Sequence, residues 1–171
     1  PDRSFLSLEI GGRLPLSEQV RLTCHVGMRI HFIKAQDTYP LRLKVLRPGG
    51  SEEDVHFAND RLPTAFHLGV QIGDHRIAVG SFYPEAHPQL TGWKQFRLRG
   101  MATHPDFQGQ GAGGKLLRFA LEHMKAQHAD VLWCNARVKA MTFYERAGLV
   151  VHGDLFDIPG IGGHYVMYKR L

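Results

Sequence analysis

Cysteine is scarce in this chain: Cys24 and Cys134 are the only two among 171 residues, and neither sits in a C-x-x-C pair. Two isolated thiols make no disulfide framework, so a reducing cytoplasm is the simplest compartment to expect. Long apolar runs are missing as well. No stretch approaches the roughly 20 residues of a membrane span, and the first residues lack the basic-then-apolar order of a signal peptide. No membrane partner is therefore expected. Charge of one sign never gathers into a block, which excludes a polybasic or polyacidic tail. The eleven histidines show no H-E-x-x-H or comparable spacing, so no metal is expected. No internal repeat or low-complexity tract is visible.

What is present suits one globular domain with a substantial core. The net charge is +5 and the isoelectric point about 9.4. Scattered basic residues describe a solvated surface, although a basic balance also suits an anionic partner such as a phosphorylated cofactor. Nucleic-acid binding would rest on charge alone, and no such partner is expected.

Residues 1–27 read as an N-terminal extension of uncertain role, and the functional domain is expected over 28–171. Met28 opens an alternating run that reads as a first strand. Asp37-Thr38-Tyr39-Pro40 signals a helix start, and Arg47-Pro48-Gly49-Gly50 a stop. Between them Leu41-Arg42-Leu43-Lys44-Val45 alternates with period two. The boundary signals favour a short helix over the strand that this alternation suggests. Residues 51–63 read as loop or irregular helix. Strands follow at 65–72, 76–83 and 95–103, the first two joined at Gly73-Asp74. Leu116, Leu117, Ala120, Leu121 and Met124 then mark one helix face. A short strand from Asp130 to Cys134 comes next. Ala140, Phe143, Tyr144 and Ala147 mark a second helix face, capped at Gly148. Two closing strands flank a Gly-rich turn. This order is a mixed α/β domain.

The segment Gln108-Gly109-Gln110-Gly111-Ala112-Gly113-Gly114-Lys115 links a predicted strand to a predicted helix. Glycines let successive N–H groups point one way, and a helix N-terminus adds a positive dipole end, so the loop suits a phosphate. A ligand-free turn would carry the entropic cost of four glycines without return. Gly109, Gly111 and Gly114 satisfy G-x-G-x-x-G, but no acid ends the next strand to hold a ribose. Gly109 and Gly114-Lys115 give most of a P-loop, but Leu116 stands where a Mg²⁺-binding hydroxyl belongs. Gln108, Gly111 and Gly113 give Gln/Arg-x-x-Gly-x-Gly/Ala.

That third pattern stands beside Thr103-His104-Pro105, Phe143-Tyr144-Glu145-Arg146-Ala147-Gly148 and the closing Gly162-Gly163-His164-Tyr165-Val166-Met167. In this order the pieces resemble the GNAT superfamily of N-acetyltransferases from about Phe96 to Leu171. The first half matches in broad layout only. The resemblance implies a GNAT-like α/β fold with a mixed, mostly antiparallel central sheet flanked by helices. It implies acetyl-CoA as acyl donor, its pyrophosphate on the backbone of Gln108, Gly109, Gln110, Gly111, Ala112, Gly113, Gly114 and Lys115. The pantetheine arm would pair with Met101, Ala102 and Thr103, where the strand splays from its neighbour. Tyr144 would lie along that arm and act as general acid toward the departing thiolate, or else serve as a core aromatic beside Phe143. The reaction implied is direct acetyl transfer in a ternary complex to a primary amine of a small molecule or protein. Members are often homodimers.

Two positions depart from the family pattern. Arg137 replaces an asparagine that commonly contacts the cofactor; it would pair with a cofactor phosphate or cap the strand end. Arg97 stands where some members carry a catalytic glutamate. His67, His104 and Asp60 are candidate bases by chain location, each with a structural role as the alternative. Cys134 reads as a buried small residue rather than an acetyl carrier. A non-catalytic acyl-CoA-binding or sensing domain, and more remotely an ATP–Mg²⁺ site on the same glycines, stand as the competing readings.

Overall fold

The computed structural model describes residues 27–171, so the expected extension over 1–27 lies, but for Gly27, outside the described residues. Seven strands form one sheet in the order β1-β2-β3-β4-β5-β7-β6. They are β1 Arg29–Ile33, β2 Phe66–Ile72, β3 His75–Pro84, β4 Gln95–Thr103, β5 Val131–Arg137, β6 Val150–Ile158 and β7 Gly162–Arg170. All neighbours run antiparallel except β4 and β5. Among the described residues three α-helices flank the sheet: α1 Tyr39–Leu46, α2 Ala112–Ala126 and α3 Met141–Arg146. The polar 51–63 segment folds into two 3-10 turns, Glu52–Val55 and Ala58–Arg61.

The period-two pattern of Leu41–Val45 is overruled, and the helix expected there forms with Pro40 in its first turn. The reason for the misleading pattern is Arg42, which is fully buried beside Leu41. Thr38, Leu41, Arg42 and Val45 trace one helical face once an arginine is admitted to the core. Helix α1 lies on one face of the sheet, where Leu41 meets Val79 and Ala102. Helix α2 covers the other face. Its Leu116, Leu117, Ala120 and Met124 pack with Leu68, Phe82, Phe96 and Leu98. Each leucine so buried contributes roughly 1.5–3 kcal/mol.

Two backbone features shape the middle of the sheet. Gly100 sits at φ +63°, and the β3–β4 register slips there: Ser81 faces Arg99, whereas Val79 faces Ala102. The extra residue reverses the alternation of β4. Arg97 and Arg99 face the α1 side before it, and Ala102 takes that side after it. A Cβ on Gly100 would lie 2.5 Å from Arg42 Nε, so glycine is required twice over. Beyond the bulge, β4 loses its other neighbour. The parallel pairing with β5 runs only from Gln95↔Val131 to Leu98↔Cys134. From Asn135 to Arg137, β5 continues against β7 alone. The sheet thus parts into a wedge.

Candidate active site

The wedge opens into a cleft of about 1160 Å³ lined by, among others, Arg99, Met101, Gly111, Gly114 and Tyr144. At one end stands the glycine loop. Gly109 and Gly111 adopt φ +76° and +84°, conformations that side-chain-bearing residues avoid. Gln108 Nε2 donates to Thr103 O at 3.2 Å, and Gln110 Nε2 to Asp106 O at 2.9 Å, which ties the loop to the end of β4. Helix α2 closes its first bond between Lys115 N and Gly111 O at 3.0 Å. Among the described residues no backbone acceptor outside the helix takes an N–H from Gly109 to Gly114. The space above Gly109, Gly111 and Gly114 is open, with no atom within 4 Å of a hypothetical Cβ. Gly113 differs: a Cβ there would crowd Met101 and Phe143 at 3.3 Å, so it serves packing. The open glycines and free N–H groups fit a diphosphate.

Of the residues expected to hold the cofactor, the structure brings most to one cleft. Met101, Ala102, Thr103, Gln108, Gly109, Gly111, Ala112, Gly113, Gly114, Arg137 and Tyr144 all line it. Gln110 and Lys115 do not: the first is turned to Asp106, and the second is exposed on the outer side of α2. Arg137 donates from Nη2 to Leu46 O at 3.3 Å, so its guanidinium bridges the wedge to the end of α1. This is a capping contact to a helix C-terminus. Burial, and then the neighbouring Arg47, lower its pKa.

Tyr144 sits on α3, which ends as sequence periodicity foretold. Leu149 N donates to Tyr144 O and Gly148 N to Glu145 O, with Gly148 at φ +84°. That paired closure fixes the helix end. Tyr144 is 8 % exposed and its hydroxyl has no hydrogen-bond partner among the described residues. Burial, then Cys134 nearby, raises its pKa well above the usual phenol range, so it stays protonated. Cys134 is buried outside the cleft lining, and burial pushes its thiol up to about 12.

The three candidate bases are engaged elsewhere. Asp60 accepts from both guanidinium nitrogens of Arg42 at 2.8 and 3.0 Å, from Tyr83 OH and from Phe57 N. Burial pushes its pKa up, but these hydrogen bonds outweigh burial and leave it lowered. His67 is buried with Nδ1 2.6 Å from Ser81 Oγ and Nε2 3.3 Å from Asp60 O. Burial lowers its pKa and keeps it neutral. His104 has its ring nitrogens 2.6 Å from Lys44 Nζ and 3.3 Å from Asp106 N, at the start of a 3-10 turn. Burial, then Lys44, lowers its pKa. None of the three lines the cleft.

Sequence reasoning missed His164 as a candidate base. It lines the cleft from β7, opposite Arg137, with Nδ1 2.6 Å from Gly162 O. A carbonyl partner makes Nδ1 the donor and leaves Nε2 free to accept a proton. Its sequence signal was only its place in the closing strand. Among the described residues no group of three His, Cys, Asp or Glu is arranged to hold a metal ion, and no helix is long and apolar enough to cross a membrane.

Comparison with known proteins agrees with this architecture. The profile of the acetyltransferase (GNAT) family matches residues 35–149. An uncharacterized N-acetyltransferase of Bacillus subtilis (strain 168), YitI, is 39% identical over 144 residues, covering 84% of this chain and 97% of its own. An acyl-CoA N-acyltransferase from Pseudomonas aeruginosa superposes with a TM-score of 0.66 at 18% identity, over 84% of this chain and 99% of its own. A GNAT family acetyltransferase from Elizabethkingia anophelis, solved with acetyl-CoA bound, gives 0.63 at 17% identity, over 84% and 98%. The seven-stranded sheet, the family profile and the Bacillus relative converge on one conclusion: this chain belongs to the GNAT family of acetyltransferases.

Proposed function

We propose that this protein takes acetyl-CoA as donor and moves its acetyl group directly to a primary amine within a ternary complex. One observation carries the reading: the open glycine loop, the unpaired edge of β4 and the Tyr144 phenol all line one cleft. Acetyl-CoA supplies a thioester whose carbonyl carbon a neutral amine can attack. The N–H groups of Gly109, Gly111 and Gly114 hold the diphosphate. The backbone of Met101–Thr103 takes the pantetheine amides as a missing strand would. A C–N bond forms, the C–S bond breaks with its electron pair on sulfur, Tyr144 gives that sulfur a proton, and the proton shed by the acylated nitrogen restores the phenol. Cys134, a buried thiol rather than a thiolate, has no part in the transfer.

The amine must lose its proton before attack. His164 Nε2 accepts it, and the basic lining assists, because nearby cations disfavour an ammonium. Asp54 is the only carboxylate among the lining residues, and it already accepts from Ser51 N at 2.7 Å.

Thermal unfolding with acetyl-CoA and, in parallel, ATP–Mg²⁺ tests the donor. Binding to the folded state alone at 100 times Kd adds about 2.7 kcal/mol and raises the midpoint. A rise with acetyl-CoA alone is expected, followed by thiol release with amines. A rise with ATP–Mg²⁺ and none with acetyl-CoA would overturn the proposal. Donor binding with no turnover of any amine would instead favour a non-catalytic acyl-CoA sensor.

A further inference from the structure

Three arginines project from or pack on the α1 face of the sheet beside the wedge, and two of them are neutralised. Arg42 is held bidentately by Asp60 and receives further acceptors from Ser81 Oγ at 2.5 Å and Val55 O at 2.8 Å. Arg97 donates to Glu85 Oε1 at 2.6 Å, with its guanidinium 4.6 Å from the centre of the Trp133 ring. Arg99 is the exception. It has no hydrogen bond or ion pair from its side chain to any described residue, although it is half-buried and lines the cleft.

Its position is fixed all the same. The guanidinium stacks 4.2 Å from the centre of the Phe57 ring, whose other contact of this kind is Arg42 at 4.3 Å. Arg99 is the residue just before the Gly100 bulge and just after the last β4–β5 pair, Leu98↔Cys134. It therefore stands where the sheet begins to part. Burial, then the adjacent Arg97, lowers its pKa, as expected of a cation without a counter-charge. An uncompensated guanidinium in a half-dry cleft, pre-oriented by an aromatic ring, is costly unless an anion completes it.

We infer that the acceptor is a small amine that also carries a carboxylate, and that Arg99 binds that carboxylate and sets acceptor specificity. The inference rests on the acetyl-CoA-dependent amine acetylation proposed above. The guanidinium fork matches a carboxylate through two parallel N–H donors. One guanidinium fork suits one carboxylate; Arg47 and Arg137, which also line the cleft without an acidic partner among the described residues, are both turned to Leu46 O at the end of α1. A polyamine or other polycation meets the opposite field, since the lining is basic at both ends and its one carboxylate is engaged. Bound through Arg99, such an acceptor has its amine within a few bonds of the wedge, on the side opposite the α2 core.

The test is a panel assayed by thiol release with acetyl-CoA: the free amino acids, the amide of each, phosphoethanolamine and spermidine. The wild type should favour at least one free acid over its own amide by ~10–100-fold in kcat/KM, the range of a charge-assisted hydrogen-bonded pair. Arg99→Gln should erase that ratio and leave acetyl-CoA affinity and the acetyl-CoA-induced rise in melting midpoint unchanged. Arg99→Lys should keep part of the ratio. Amides, phosphoethanolamine or spermidine turned over as well as the acids, or an Arg99→Gln ratio equal to wild type, would overturn the inference and leave the proposed reaction standing. Failure to bind acetyl-CoA at all would overturn both.

Discussion

Tyr144 and His164 both line the cleft, one from α3 and one from β7. The phenol is buried and holds its proton at any working pH. The imidazole has Nδ1 on Gly162 O and no hydrogen-bond partner on Nε2 among the described residues. Substituting each should therefore leave different signatures. Tyr144→Phe should lower kcat by about tenfold or more at every pH, with acetyl-CoA affinity intact, because the proton to sulfur is lost throughout. His164→Gln should cost most at low pH and recover as pH rises, because the amine then loses its proton to water unaided. A pH-independent loss in His164→Gln would reduce this residue to a structural role, and unchanged turnover in Tyr144→Phe would remove the phenol from the mechanism. Tyr144 was legible in the sequence because it sits in a local run ending in Gly148. His164, Arg99 and the Arg42–Asp60 pair were not. Their meaning depends on distant partners, as with Arg42 and Tyr83, 41 residues apart, and no local spacing encodes such a meeting.

At the scale of the element, the glycine loop shows why one motif was read well and its details less so. The strand–loop–helix order follows from periodicity and from glycine chemistry, both local properties. Which glycine does what depends on surroundings. Gly111 needs its left-handed backbone, so a side chain there strains the loop by about 1–3 kcal/mol and confuses folding with binding. Gly114 is already helical, and a Cβ on it would meet nothing within 4 Å. Gly114→Val is thus the cleaner probe. Its melting midpoint without ligand should stay near that of the wild type, since valine is no worse a helix former than glycine. Its affinity for acetyl-CoA should collapse in a direct titration, because the side chain fills the space left for phosphate. Retained affinity would mean that the loop holds something else. Helix α1 teaches the converse lesson. Its boundaries were readable from Pro40 and Pro48, while its buried arginine disguised its period.

For the whole molecule, the mixed, mostly antiparallel sheet and its flanking helices agree with the expectation drawn from the second half of the chain. The first half was harder to read because its core is partly polar. There the 51–63 segment is fastened by Asp60 to Arg42, not by an apolar stripe. That pair links α1, the 3-10 turns and β3, so it bears on global stability. Asp60→Asn leaves Arg42 buried without its counter-charge and should destabilise the fold by about 3–5 kcal/mol at neutral pH, read from urea unfolding. The pH dependence follows from the sign of the shift. A carboxyl whose folded pKa is lowered contributes fully above its unfolded value and loses that contribution as pH falls through the folded one. The gap between wild type and Asp60→Asn should therefore narrow below about pH 4. A gap constant down to strongly acid pH would show that the carboxylate charge is not what stabilises the segment.

The parting of β4 from β5 has a consequence for how this family member can drift. Any extended chain lying in that wedge meets the N–H and C=O groups of Met101–Thr103, atoms that every residue except proline shares. Recognition there is written in the shape of the backbone and not in the identity of its side chains. The stretch is free to change its letters while keeping its open backbone edge, so long as Gly100 continues to bend it and no proline enters.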